Sequence, residues 1–328
     1  MHIINVILFN FGRCSIDILA NVLKEIRLSS RTYFCADFET PWGMDIPSSQ
    51  HGGFHIAVTG EFYVYIKQNH KHIHLKEGDI IAFPLGAAHQ LSDNNTDKAA
   101  DSLLNGESVV EDILSGNNPF EPKGFSNSLN TVLCGAFNYD TSLNHPLFND
   151  LPEYIHIKSS ELPWLQGLVS VLSNETRTAK PGYSVLVDRL TEVLFIQLLR
   201  AHMLEKNTDN GFLSALNDSK INAALTAVHQ DLQGNINVGR LGELVGMSRT
   251  SFNQRFTKLV GESPKTYLTN FRLQNAKNSL LNNNNPIIQI AENAGYSSEA
   301  AFSKAFKRYY KVPPGSVRKK PAEQTLDN

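Results

Sequence analysis

The chain has 328 residues, 41% hydrophobic and 19% charged, and a formal net charge of −2 at pH 7. That length accommodates two or three domains with separate cores, and a near-neutral total charge gives no pointer to a polyanionic partner. Three cysteines are too few for a disulfide scaffold, and no apolar run is long enough to span a bilayer.

The N-terminal stretch Ile3–Phe11 is apolar but short, lacks a basic leader and is followed by Arg13 and Asp17. It is therefore expected to be neither signal peptide nor membrane span, which predicts a cytoplasmic, nucleoid-associated protein with reduced thiols and no membrane partner. From about residue 31 to 92, short runs rich in aromatic and β-branched residues predict strands: Tyr33–Phe38, Phe54–Val58, Glu61–Ile66 and Ile80–Phe83, mostly separated by Gly or Pro. Their spacing suits a small antiparallel barrel or sandwich. Within them, Gly78-x5-Pro84-x-Gly86-x2-His89 resembles the second sequence motif of cupins. A small barrel can enclose one ligand, with Trp42, Phe54, Tyr63, Tyr65, Phe83 and His89 as lining candidates or as ordinary core. The polar stretch 93–128 is expected to be an irregular loop.

Cysteines stand at Cys35, on an early strand, and at Cys134, in a strand from Leu133 to Phe137; Cys14 precedes a helix. Residues 181–203 predict a helix whose apolar content exceeds one narrow stripe, so one side should pack on the barrel and another suits a two-fold dimer interface. Residues 205–218, with Asn-Thr-Asp-Asn-Gly, read as the interdomain linker.

The last hundred residues carry one helical pattern twice. The first copy runs Leu241-Gly242-Glu243-Leu244-Val245-Gly246-Met247-Ser248 and then Phe252 to Phe256; the second runs Ile290-Ala291-Glu292-Asn293-Ala294-Gly295-Tyr296-Ser297 and then Phe302 to Phe306. Each reads as a short amphipathic helix, a Gly turn, a Ser cap and a second helix burying Phe-x-x-x-Phe, which is helix-turn-helix grammar. The segment from Ser263-Pro264 to Leu281 predicts a stiff connecting helix, able to hold two heads about one duplex turn apart, roughly 34 Å. Residues 220–320 hold 15 Lys and Arg against 5 Asp and Glu, whereas residues 1–219 hold 15 against 25. A basic module fused to an acidic one is expected when only the first meets phosphate.

Residues from about 217 to 320 closely resemble the DNA-binding domain of the AraC/XylS transcription regulators, through the run Ile287 to Ser298, Phe302, Phe306-Lys307-Arg308 and Pro313-Pro314 to Arg318. Gly242, in place of the family's usual Ala, and Lys311, in place of its common Gly, depart from the pattern. The stretches Pro41-Trp42-Gly43, Phe54-His55, Gly60, Gly78 to His89, Cys134-Gly135, His145-Pro146-Leu147 and Leu151-Pro152 resemble the cupin-type sensor domain of one AraC/XylS subgroup.

The resemblance implies an α+β protein of two domains. A cupin-like β-barrel with flanking helices occupies residues 1–204 and a linker 205–218. An all-α domain with two helix-turn-helix motifs occupies 219–320, and 321–328 is a tail. It implies base contacts from Thr250, Asn253 and Gln254 in the first head and from Ala300, Ser303 and Lys304 in the second. Arg249, Arg255, Lys258, Lys307 and Arg308 are left as phosphate or structural groups.

The implied function is a sequence-specific transcriptional regulator, not an enzyme, that binds promoter DNA as a homodimer and contacts RNA polymerase. Its cupin half would sense a small ligand or an oxidant. Cys35 and Cys134 are similar in position to cysteines of the reactive-chlorine-sensing regulators, where an exposed low-pKa thiol would oxidise and pair; Trp42 and His89 complete the sensor candidates. Cupins often bind metal through two His, a Glu and a second-motif His. Only His89 is at its expected place here, so no metal and no cofactor are expected. The alternatives are a metal-dependent cupin enzyme fused to a DNA-binding domain and an architectural DNA binder.

Overall fold

The computed structural model describes residues 17–95, 103–124, 129–140, 145–205, 210–231 and 234–318. Cys14, the Ile3–Phe11 segment and the 321–328 tail lie outside them. By packing, the described residues from 26 to 205 form one unit, and residues 17–25 with 210–318 form the other. None of the described helices is long and apolar enough to cross a membrane.

The first described helix, α1 (Ile18–Glu25), precedes ten strands: β1 (Ser29–Glu39), β2 (Gly43–Ile46), β3 (Gly52–Thr59), β4 (Phe62–Ile66), β5 (Lys71–Leu75), β6 (Ile80–Phe83), β7 (His89–Ser92), β8 (Leu104–Asn105), β9 (Leu129–Asn138) and β10 (Ile155–Ile157). They form two five-stranded sheets, β1-β9-β3-β6-β10 and β5-β4-β7-β2-β8, antiparallel except where β8 joins β2. Among the described residues the two ladders are separate rather than one closed barrel. An apolar core that includes Phe34, Phe38 and Val132 of the first sheet and Met44, Phe62, Val64 and Leu91 of the second lies between them. Alternation sets this up: Phe62, Val64 and Ile66 of β4 are buried, while Tyr63 and Tyr65 turn outward, Tyr63 stacking on His74 of β5 at 4.5 Å and Tyr65 lying tilted against His72 at 4.8 Å.

Residues 93–128, expected as an irregular loop, contain β8 and a helix, α2 (Gly106–Leu114), whose N-cap Asn105 accepts from the backbone N–H of Glu107 and Ser108. Val109 is buried, Val110, Ile113 and Phe120 pack on the core, and Phe120 lies edge-on to Phe38 at 5.0 Å. These few apolar groups suffice to fold a polar stretch onto the sandwich. The outer face of the first sheet is covered by α4 (Pro163–Thr178) and α5 (Tyr183–Glu205), which follow the short helix α3 (Pro146–Asp150). Phe195 of α5 lies 4.6 Å from Phe137, and Thr191 meets Thr32 at 3.0 Å. The predicted surplus of apolar residues is visible on α5, where Val185, Leu186 and Val193 are exposed.

The second unit is helical: α1, α6 (Phe212–Asn217), α7 (Ser219–Gln230), α8 (Val238–Leu244), α9 (Arg249–Val260), α10 (Pro264–Asn282), α11 (Ile287–Asn293), α12 (Glu299–Tyr310) and α13 (Pro314–Val317). Two expectations change here. Residues 212–217 are not linker: Phe212, Leu213 and Ala215 are buried and α6 packs on α7 and α9. Residues 18–25, expected within the sensor half, pack against α7, because α1 is amphipathic and buries Ile18, Val22 and Leu23.

The α8–α9 and α11–α12 pairs repeat one geometry. Gly246 (φ +63°) and Gly295 (φ +79°) turn the chain in the left-handed region. After each turn a backbone N–H returns to the first helix, Met247 to Gly242 and Tyr296 to Ala291, both at 2.9 Å. Ser248 and Ser298 cap the second helices by accepting from Ser251 and Ala301. The second turn is one residue longer, so its cap is Ser298, immediately before the helix Glu299–Tyr310. Phe252, Phe256, Phe302 and Phe306 are fully buried.

Candidate nucleic-acid interface and ligand cavity

With Phe252, Phe256 and Leu259 inward, α9 turns Arg249, Thr250, Gln254 and Lys258 to solvent. Asn253 is half-buried and donates to the Arg249 carbonyl at 2.9 Å. On α12, Ala300, Lys304, Lys307 and Arg308 are exposed and Ser303 is half-buried. The described part of both helices' outer faces thus carries the donors that phosphates and base edges accept. Arg255 is committed elsewhere: its Nε donates to Asp218 Oδ2 at 2.9 Å and its Nη2 bonds the same oxygen. Asp218 also caps α7, accepting from Lys220 and Ile221. Burial works against the charge, yet Arg255 and these backbone donors hold the Asp218 carboxyl below its ordinary range. Arg255 is therefore a structural group.

The sandwich holds a cavity of about 130 Å³, lined by Met44, Ile46 and Val110 and by Gly52, Gly53, His55, His89 and Cys134, among others. Three of these groups form a chain. His89 Nδ1 lies 2.7 Å from the Ala87 carbonyl, His89 Nε2 lies 2.8 Å from His55 Nε2, and His55 Nδ1 lies 3.0 Å from Cys134 Sγ. Burial pushes His89 down to about 4. Burial, reinforced by His89, pushes His55 well below the imidazole range, and burial raises Cys134 well above the thiol range. All three groups are neutral at pH 7, which fixes the protons. A carbonyl only accepts, so His89 carries its proton on Nδ1 and accepts at Nε2. His55 then donates from Nε2 and accepts at Nδ1, which leaves the thiol as donor.

His55 was not a sensor candidate by sequence; its partners lie 34 and 79 residues away, and only the folded sheets bring them together. Of the six lining candidates, His89 alone borders the cavity. Trp42 is core: fully buried, with Nε1–H donating to Asn130 Oδ1 at 2.8 Å. Cys35 pairs in register with Leu133, while Cys134 pairs with Phe34. The two thiols therefore project from opposite faces of the sheet, so a direct disulfide, which requires Cβ atoms about 4 Å apart, demands opening the β1–β9 ladder. Nor is either a low-pKa thiol: burial raises Cys35 despite the nearby Arg177.

The cavity does not fit a cupin-type metal either. His55 uses both ring nitrogens on His89 and Cys134, and among the described residues no group of three or more His, Cys, Asp or Glu is arranged to hold an ion.

Residues 17–204 match the family described as cupin, and residues 241–320 match the helix-turn-helix domain family. The chain is 32% identical over 306 residues to an uncharacterized HTH-type transcriptional regulator of Haemophilus influenzae, covering 92% of this chain and 96% of that protein. It is 29% identical over 308 residues to the HTH-type transcriptional regulator AlkR of Acinetobacter baylyi, covering 92% and 99%. Over 212 residues, 63% of this chain and 74% of the other, it is 29% identical to the RCS-specific HTH-type transcriptional activator RclR of Escherichia coli. The chain belongs to the AraC-type helix-turn-helix transcriptional regulators that carry an N-terminal cupin domain.

Proposed function

We propose that α8–α9 and α11–α12 are two helix-turn-helix units that read adjacent major grooves of promoter DNA, with α9 and α12 as the reading helices. Thr250, Asn253 and Gln254, and Ala300, Ser303 and Lys304, make the base contacts. Arg249, Lys258, Lys307 and Arg308 bind phosphates. The observation that carries this reading is the repeated geometry: two helices, each locked by a buried Phe pair, expose polar and basic rows at corresponding positions. The 19 residues of α10 give a spacer of about 28 Å, on the scale of one duplex turn.

The test is selection of duplexes from a randomised pool by the full-length protein. Wild type should enrich two half-sites. Gln254→Ala or Lys304→Ala should relax preference at one or two positions, at a cost of about 1–3 kcal/mol on the preferred sequence. Equal weakening on every sequence would reassign these residues to phosphate contact.

The cupin unit, in this reading, binds its signal in the His55–His89–Cys134 cavity. Its volume and mostly apolar lining, with Glu107 as a carboxylate at its edge, suit a small ligand or a small oxidant. The exposed apolar residues of α5 serve a second copy of the chain, and RNA polymerase is a further partner at the promoter.

A further inference from the structure

The two helix pairs share α10, and α10 changes allegiance at a single residue. Tyr267 and Phe271 face the first pair's core, where Tyr267 meets Phe256 at 5.8 Å and Phe271 meets His229 of α7 at 4.3 Å. Leu273, Ala276 and Leu280 pack with Ile290, Ala291, Phe302 and Phe306 of the second. Arg272 lies between these sets. Its Nη2 donates to the carbonyls of Gly234 and Ile236, both at 2.6 Å, and lies 3.4 Å from Asp231 Oδ2. Asp231 in turn accepts from the backbone N–H of Asn235 at 2.9 Å and Ile236 at 2.7 Å. The ion pair is mostly buried, with 18% and 11% of the two side chains exposed.

The described part of the segment held in this way leads directly into α8, the first helix of the first pair. Its other side touches the second pair. A Cβ at Gly234 (φ +69°) would lie 3.0 Å from the Asn293 carbonyl oxygen and from the Gly295 nitrogen, and a Cβ at Gly295 would lie 3.1 Å from Arg272 Nη1. Gly295 is the turn between α11 and α12. One guanidinium therefore joins the entry to the first pair, the shared helix and the turn of the second pair. Beside it lies a cavity of about 340 Å³, lined by Asp231, Arg272, Asn275, Asn278 and Asn293 among others, so the guanidinium borders open space on this side of the junction.

We propose that Arg272 is a positioning residue that fixes the relative phase of α9 and α12, and with it the half-site spacing the protein accepts on DNA. This rests on the reading of both helices as DNA-reading elements. A merely structural Arg272 would affect stability and lower affinity for all spacings alike. One added base pair turns a half-site by about 35° around the duplex and moves it about 3.4 Å, which a locked pair of heads cannot follow.

The test uses full-length protein and the half-sites obtained by selection. Wild type should lose at least about tenfold in affinity when one base pair is inserted between them, on the scale of one lost base-pair match. Arg272→Lys keeps the charge, but its single ammonium lacks the planar fork that serves two carbonyls and a carboxylate. Gly234→Ala leaves the ion pair intact and crowds the contact with the α11–α12 turn. Both variants should cut the insertion penalty to less than about threefold, within the scale of a single weak contact, and keep the preferred bases in each half-site. If Arg272→Lys does not fold, Gly234→Ala carries the test alone. A wild-type insertion penalty in folded variants overturns the proposal. Selection of a single half-site by wild type would instead overturn the two-head reading, and this inference with it.

Discussion

At the scale of single residues, the cupin cavity shows how burial decides chemistry. Cys134 borders a cavity beside an imidazole, an arrangement that elsewhere makes a thiolate, yet desolvation disfavours both ions of the pair. Iodoacetamide at pH 7 should therefore modify native Cys35 before Cys134, each more slowly than a free thiol, with rates rising toward alkaline pH. Peptide mass spectrometry reads both, and rapid neutral-pH labelling of Cys134 would show a thiolate held by His55. The exposed residues of α9 and α12 were legible in the sequence because a helix of known period exposes what the Phe pair does not bury. The cavity was not. Tyr63 and Tyr65 are aromatic like core residues, but strand alternation turns them outward, whereas His55 sits in an apolar run and is recognised only through distant partners. Arg255 was assignable to Asp218 only once α6 and α7 had folded.

At the scale of elements, the strands, the helix pairs and the connecting helix follow from periodicity. Short elements escape it. Too few turns separate signal from chance in α2 and α6, and their folding depends on Val109, Phe120 or Phe212 finding a core. α1 carries a further consequence. Its last residue, Glu25, lies 3.7 Å from His229 Nδ1, and His229 Nε2 meets the Tyr267 hydroxyl at 2.9 Å. Burial raises Glu25 to about 8 and lowers His229 to about 4.

A carboxyl raised on folding stabilises the fold in its protonated form, fully below the unfolded value and progressively less up to the folded one. The lowered imidazole acts oppositely, losing stability as pH falls from 6.5 toward 4. Glu262, raised by burial to about 7, contributes below that pH, which leaves Glu25 dominant between pH 7 and 8. The stability of the helical unit should therefore fall across that interval, by at most about 1.4 kcal/mol per pH unit. Glu25→Gln should flatten the slope. Denaturant titrations at the two pH values, followed by helix signal, check this, and an unchanged slope in the variant would assign it elsewhere.

At the scale of the whole molecule, charge is partitioned rather than balanced. Residues 220–320 carry the basic excess and residues 1–219 the acidic one. If the four assigned phosphate groups engage, log affinity for DNA should fall with log salt at a slope of about −4, and Lys307→Ala should make it shallower by about 1. Binding titrations at several salt concentrations measure both. A flat response would remove the basic face from the mechanism.

The division of the chain into packing units has one more consequence, at the level of handling the molecule. Polypeptide passes from one unit to the other twice, once at Glu25–Ile26 and once after α5. A fragment cut at the interdomain linker to isolate the DNA-binding half would leave α1 behind, stripping Ile18, Val22 and Leu23 from the surface of α7. The severable piece is therefore not the one that domain boundaries drawn on the sequence suggest. A faithful half-molecule has to carry its amino-terminal helix, rejoined by an artificial tether.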